Sequence, residues 1–109
     1  MRRAAKVDAN QPETVAYLRK LGYHVAHTHT VGNGFPDLCV SKRMHGFPWV
    51  CLVELKVPGG KLTEDEKVFA EEYLGPMLVC YGPEDCAEKL LREQNHHWMC
   101  WKGGVDALF

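Results

Sequence analysis

Apolar and polar positions alternate with a period that changes several times along the chain, and each change marks an element. Val15, Leu18 and Leu21 recur at helical spacing between Asn10 and Gly22. Asn10 stands as an N-cap, Pro12 fits the first turn, and Glu13 completes an Asn-x-x-Glu box before Gly22 ends the helix. Gln11 shares the stripe of Val15 and Leu18, so it turns inward at the helix start. Tyr23 to His29 alternates as a strand, and Val31 to Gly34 reads as a turn or loop. Asp37 to Ser41 and Trp49 to Lys56 read as two strands, joined as a hairpin by residues 42–48. Pro58-Gly59-Gly60 stops the second strand, and the capping box Thr63-Glu-Asp-Glu66 opens a helix to about Leu74, with Phe69 and Tyr73 inward. Met77 to Tyr81 is nearly all apolar, as in a strand buried on both faces, and Pro83 to about Gln94 predicts a last helix. The order α-β-β-β-α-β-α predicts an α/β domain with a central mixed sheet flanked by helices.

A length of 109 residues supports one domain, and 46% hydrophobic with 25% charged residues excludes a disordered chain. The domain is expected over residues 1–94. Residues 95–109 form an aromatic, aperiodic extension expected to pack on the domain or on a partner. No apolar run approaches the roughly 18 residues of a membrane span. Met1-Arg-Arg leads into no apolar leader segment, so a cytoplasmic protein without a membrane partner is expected. The five cysteines contain no C-x-x-C pair, which suggests neither a disulfide framework nor a zinc ribbon and fits a reducing compartment. The net charge of −1 conceals an asymmetry. Residues 1–60 carry eight Lys/Arg against four Asp/Glu, whereas residues 61–109 carry five against ten. The basic half, which also holds His24, His27, His29 and His45, suits a polyanion or an ordinary solvated surface.

A symmetric hairpin centred on His45 and Gly46 pairs Ser41 with Val50, Cys39 with Leu52, and Asp37 with Glu54. Directly opposed side chains share a sheet face about 5 Å apart, close enough for two carboxylates to hold one cation. Lys56 lies on the same face, roughly 7 Å further along the strand. Two acids and an ammonium converging at a sheet edge suit metal-assisted phosphodiester hydrolysis. The same residue types also suit a bland arrangement, with Asp37 ending a strand after Pro36 and Glu54 and Lys56 forming a surface ion pair.

Gly34-Phe-Pro-Asp37, then Glu54-Leu-Lys56, then Gly60-Lys-Leu-Thr63 opening a helix, together with Leu18-Arg-Lys-Leu-Gly-Tyr23 upstream, resemble the PD-(D/E)XK nuclease superfamily, and within it the VRR-NUC (virus-type replication-repair nuclease) domains of phage and bacterial origin. The similarity covers about residues 8 to 91. It implies a restriction-endonuclease-like core and a Mg²⁺- or Mn²⁺-dependent DNA endonuclease acting in replication, recombination or repair. Asp37 and Glu54 would be metal ligands with the carbonyl of Leu55, and Lys56 would assist. Two positions depart from the pattern. Gln11 stands where many relatives carry a glutamate, with Glu13 two residues on, and as a neutral oxygen ligand it would join the catalytic residues by holding a metal-bound water; Glu66 stands where relatives commonly carry a glutamine.

Other residues complete the expectations. Lys42, Arg43 and Lys61, each placed in a loop beside the site, would meet DNA phosphates. His27 and His29, two apart on a strand, suit phosphate contact, proton transfer, metal or plain surface. His96-His97-x-x-Cys100 suits zinc only if Cys86 or a partner supplies further ligands. The expected partner is branched or flapped DNA, met by a homodimer whose interface Trp98, Met99, Trp101, Leu108 and Phe109 would supply, unless they pack on the protein's own core. Two rivals to the nuclease are a catalytically weak nucleic-acid-binding module with the same fold and a zinc-binding interaction protein built on the tail.

Overall fold

Strands and helices follow one another in the expected order. A computed structural model describes residues 10–108, with side chains described as far as His96. The elements are α1 (Gln11–Lys20), β1 (His24–His27), β2 (Leu38–Met44), β3 (Phe47–Leu55), α2 (Glu64–Glu72), β4 (Met77–Cys80) and α3 (Pro83–Leu108). Over the described residues the protein is mixed α/β: one open sheet in the order β1-β2-β3-β4, antiparallel except for the parallel β3–β4 pair, with three helices.

The β2–β3 hairpin carries the expected register, with Ser41 opposite Val50 and Cys39 opposite Leu52. Its connection is tighter than residues 42–48. Met44 pairs with Phe47, which leaves only His45 and Gly46 in the turn. Both have positive φ, 50° and 85°, the backbone of a type I′ turn whose twist matches that of the strands. Lys42 and Arg43 consequently lie on β2, not in a loop.

Alternation along the hairpin separates two faces. Leu38 and Val40 of β2 and Trp49, Cys51, Val53 and Leu55 of β3 enter the core, where they meet Val15 and Leu18 of α1 and Cys86 and Leu90 of α3. Gln94 extends the same α3 stripe and accepts a 2.6 Å hydrogen bond from the buried Tyr23 hydroxyl. Leu52 and Glu54 stand on the opposite face and are also buried.

Several expected boundaries shift, each for a local reason. β1 stops at His27: the Thr28 N–H still reaches its register partner, the Asp37 carbonyl, at 2.8 Å, but the Val31 N–H then closes a turn on the Thr28 carbonyl at 3.0 Å and the Thr28 hydroxyl bonds the Pro36 carbonyl at 2.7 Å. His29 therefore lies beyond the strand. Asn10 does not cap α1. It is helical in conformation and makes no side-chain cap, and its amide nitrogen instead donates to the Lys56 carbonyl at 3.3 Å. α2 ends at Glu72, with Tyr73 already extended. β4 is an edge strand paired only with β3, so Met77, Leu78 and Val79 are half-buried rather than covered on both faces. The last helix does not end near Gln94. It continues to Leu108, so the backbone of the expected extension is helical, while the side chains of Trp98, Met99, Trp101, Leu108 and Phe109 lie outside those described.

No helix among the described residues is long and apolar enough to cross a membrane. Cys39, Cys51, Cys80 and Cys86 carry free thiols. Burial, with the neighbouring Cys80 next, pushes the Cys51 thiol up to about 12.

Candidate functional site

At the C-terminal end of β3, three segments meet. Asp37 immediately precedes β2, and its Oδ2 accepts a 2.8 Å hydrogen bond from the backbone N–H of Leu55. This bond carries the hairpin relation one residue past the ladder and sets the Asp37 carboxylate beside Glu54. Glu54 is 2% exposed, and its Oε1 is buried without a hydrogen-bond partner. Burial first, and the Asp37 charge next, push the Glu54 carboxyl up to about 9, with the Glu66 carboxyl acting in the same direction against Lys56. A carboxylic acid held neutral beside a second carboxylate is what a cation would reverse.

Lys56 folds back over this pair. Its Nζ lies 3.4 Å from Glu54 Oε2 and 2.8 Å from Glu66 Oε1. Desolvation alone would lower the Lys56 pKa, but Glu66 and then Glu54 reverse it, so the net shift is upward and the ammonium is secured. Glu66 is partly buried, which would raise its carboxyl, but the Lys56 ammonium and the Thr63 N–H together bring it below the usual carboxylate range. The capping box at the start of α2 explains why Glu66 is so firmly placed. Its Oε1 accepts from the Thr63 N–H at 2.8 Å, and its own N–H donates to Thr63 Oγ1 at 3.2 Å. One carboxylate therefore caps α2 and holds Lys56.

A glycine sets the approach of α2. Gly34 has φ +81°, and a Cβ built there would collide with the Asp65 carbonyl, so only glycine lets the segment before Asp37 lie against the first turn of α2. Phe35 extends the contact, its ring 5.1 Å from that of Phe69, which stacks on Tyr73 at 5.4 Å.

Asp37, Glu54, Lys56 and the Leu55 backbone are thus brought together, with Glu66 added. Gln11 is 1% exposed, and its amide nitrogen faces His27 Nδ1 at 3.1 Å and His29 Nδ1 at 3.4 Å. His27 pairs with Leu38 in the ladder, placing it with Val25 on the α1 side of the sheet. Lys42 and Arg43 sit at the hairpin end of β2, five or six residues from Asp37, which is roughly 17 to 20 Å of strand. Lys42 Nζ donates to the Leu21 carbonyl at 3.2 Å and lies over the Tyr23 ring, and Arg43 donates to the Gly46 carbonyl at 3.4 Å. Neither flanks the carboxylates. Lys61 is exposed, just before the Thr63 cap. His96 is the last described side chain, so the zinc arrangement with His97 and Cys100 lies outside the described residues.

Residue patterns left two contributions hidden. Glu66 reads both as the cap in Thr63-x-x-Glu66 and as the residue standing where relatives carry a glutamine, but neither reading shows its pairing with Lys56. Asn10 looks like a cap by type, and only the fold brings the Lys56 carbonyl to it.

Among the described residues no three of His, Cys, Asp and Glu stand together as a metal cage. Asp37 and Glu54 fit a hard cation that keeps several waters and takes one or two carboxylates. The buried, unpartnered Glu54 Oε1 is the observation that favours such an ion. Comparisons with protein-family models, with curated proteins and with solved structures find no match to this chain.

Proposed function

We propose that the chain is a metal-dependent nuclease that hydrolyses phosphodiester bonds in DNA, built on a restriction-endonuclease-like core of the PD-(D/E)XK kind. The observation that carries this reading is the buried Glu54, whose Oε1 lacks a partner, beside Asp37 and beneath the Lys56 ammonium. A merely structural ion pair needs no second carboxylate beside it.

Mg²⁺ or Mn²⁺ would be held by Asp37, Glu54 and the Leu55 carbonyl. When bound, the ion supplies Lewis-acid polarisation of the phosphate and activation of a water. The chain's own residues do the rest. The Leu55 N–H fixes the Asp37 carboxylate, so its orientation is set before substrate arrives. Glu54, neutral at rest, would be ionised by the ion's charge, its proton passing to solvent. Lys56, held by Glu66, offers an ammonium to the attacking water or to the phosphate oxygen on which charge develops.

The substrate in this reading is branched or flapped DNA, met by a homodimer. A two-fold pair sets two sites in opposite directions, matching the symmetry of a junction. Lys61 beside the α2 cap meets a phosphate near the site, and Lys42 and Arg43 contact the backbone further along β2. A second reading, a nucleic-acid-binding module of weak activity, is favoured by Gln11, which is neutral and whose amide faces His27 and His29.

A panel of linear, nicked, flapped and four-way-junction DNAs with Mn²⁺ tests the proposal, with Asp37→Asn as control. Cleavage lost in the control supports it. Binding to branched DNA without cleavage by the folded protein favours the second reading.

A further inference from the structure

On the α1 side of the sheet, a separate cluster remains after the carboxylates are accounted for. Gln11 lies at the start of α1, His27 ends β1, and His29 lies in the turn that follows. The Gln11 amide nitrogen can only donate, so at 3.1 and 3.4 Å from the two Nδ1 atoms it makes both of them acceptors. Each imidazole, with the amide in this orientation, therefore carries its hydrogen on Nε2 and points a lone pair at one shared place. The two rings meet edge to face with centroids 6.0 Å apart.

The Gln11 amide oxygen is buried and has no partner. An unpaired buried acceptor costs about 1 to 3 kcal/mol. In this orientation the amide hydrogens meet both ring lone pairs and only the oxygen goes unmet; a half-turn of the amide brings that oxygen to the two ring nitrogens, and three acceptors in one place are satisfied by a cation. A cavity of about 440 Å³ opens on it, lined in part by Pro12, Val15 and Arg19. Arg19 is eight residues from Gln11, about 12 Å along the helix, and its guanidinium is engaged at 3.0 Å by the Val25 carbonyl. That carbonyl is two residues from His27, roughly 7 Å along β1, and it holds the guanidinium there.

We propose that Gln11, His27 and His29 form a second cation site, for an imidazole-seeking divalent ion such as Zn²⁺ or Co²⁺. The ligands are the two Nδ1 atoms and the Gln11 amide oxygen, which a half-turn of the amide presents where its nitrogen now stands; water from the groove completes the coordination. Nitrogen with a neutral oxygen selects zinc, cobalt or nickel over magnesium, so this site and the carboxylate pair differ in the ion they take. No proton need leave, because both ring lone pairs already face inward. The ion would pin the first residue of α1 to the end of β1, two segments otherwise joined here by the weak amide contacts.

The test uses the full chain, stripped of metal and titrated with Zn²⁺ alone, read by calorimetry and by long-range ¹H–¹⁵N spectra of the imidazoles. One equivalent is expected to move the Nδ1 resonances of His27 and His29. His29→Ala should weaken binding by at least the ~10-fold typical of losing an orienting partner. Asp37→Asn should leave it unchanged, which separates this site from the carboxylates whatever becomes of the nuclease reading. His27 is exposed, so His27→Ala serves as a second variant that keeps the fold. Spectra without metal in which both Nδ1 atoms carry hydrogen would overturn the proposal, as would zinc that shifts other histidines only or binds both histidine variants as tightly as the parent.

Discussion

Lys56 and Glu66 are joined by a 2.8 Å ion pair in which the carboxylate belongs to the cap of α2 and the ammonium to the end of β3. The start of a helix is thereby coupled to the charge over Glu54. Thr63→Ala and Glu66→Ala each remove half of the capping box and should each cost about 1 kcal/mol of stability. Only Glu66→Ala also releases Lys56, and it should slow cleavage roughly 10-fold to 100-fold more than Thr63→Ala does. Parallel melting and cleavage measurements on the two variants decide whether the pairing positions Lys56 or only caps.

Glu54 makes stability depend on pH. Its carboxyl is raised to about 9 by burial and by Asp37, against an ordinary value of 4.5. Between those values the unfolded chain has released the proton and the folded chain retains it. The contribution is therefore fully present below pH 4.5 and is lost as the pH rises through about 9. Urea midpoints at pH 5, 7 and 9 should fall more steeply for the parent than for Glu54→Gln. Added Mg²⁺ should lessen the parent's loss on the alkaline side, since a cation favours the ionised form.

Asp37 is both a prospective ligand and a hydrogen-bond acceptor for Leu55. Removing it leaves the Leu55 N–H without this partner, so Asp37→Ala should cost about 2 kcal/mol even though a negative charge leaves the neighbourhood of Glu54. Asp37→Asn keeps an oxygen for the N–H and should cost less than about 1 kcal/mol. Chemical denaturation of the two variants distinguishes the orienting role from simple charge relief.

Gly34 should be intolerant of a side chain. Its positive φ and the Asp65 carbonyl facing its missing Cβ together predict that Gly34→Ala destabilises by more than the ~1 to 3 kcal/mol of backbone strain alone. Hydrogen exchange should locate the loosening at the start of α2. A variant as stable as the parent would contradict the close approach.

The hairpin was legible because side-chain alternation fixes which residues face each other once the turn is placed, and His45-Gly46 is a turn that strands of this twist accept. Asp37 and Glu54 followed from that register. The edge position of β4 was not legible, since Met77-Leu-Val-Cys80 reads the same in any row of a sheet and only strand order leaves it half-covered. Helix beyond Gln94 was hidden, although Trp98, Trp101, Val105 and Leu108 continue the three-and-four spacing of Cys86 and Leu90, because the polar Gln94 interrupts the apolar stripe and Gly103-Gly104 reads as a break. Gln11 was placed inward correctly by its stripe, but its partners His27 and His29 depend on the turn after His27, which the Val31 N–H closes on the Thr28 carbonyl and the Thr28 hydroxyl anchors to Pro36.

The most direct measurement of the central claim is the Mn²⁺-dependent cleavage rate of branched DNA for the parent, Asp37→Asn, Glu54→Gln and Lys56→Ala, each verified as folded by circular dichroism. The account predicts cleavage by the parent that EDTA abolishes, and a loss of at least about 100-fold in each variant. Cleavage by Glu54→Gln at the parent's rate, or cleavage that persists in EDTA, would contradict it.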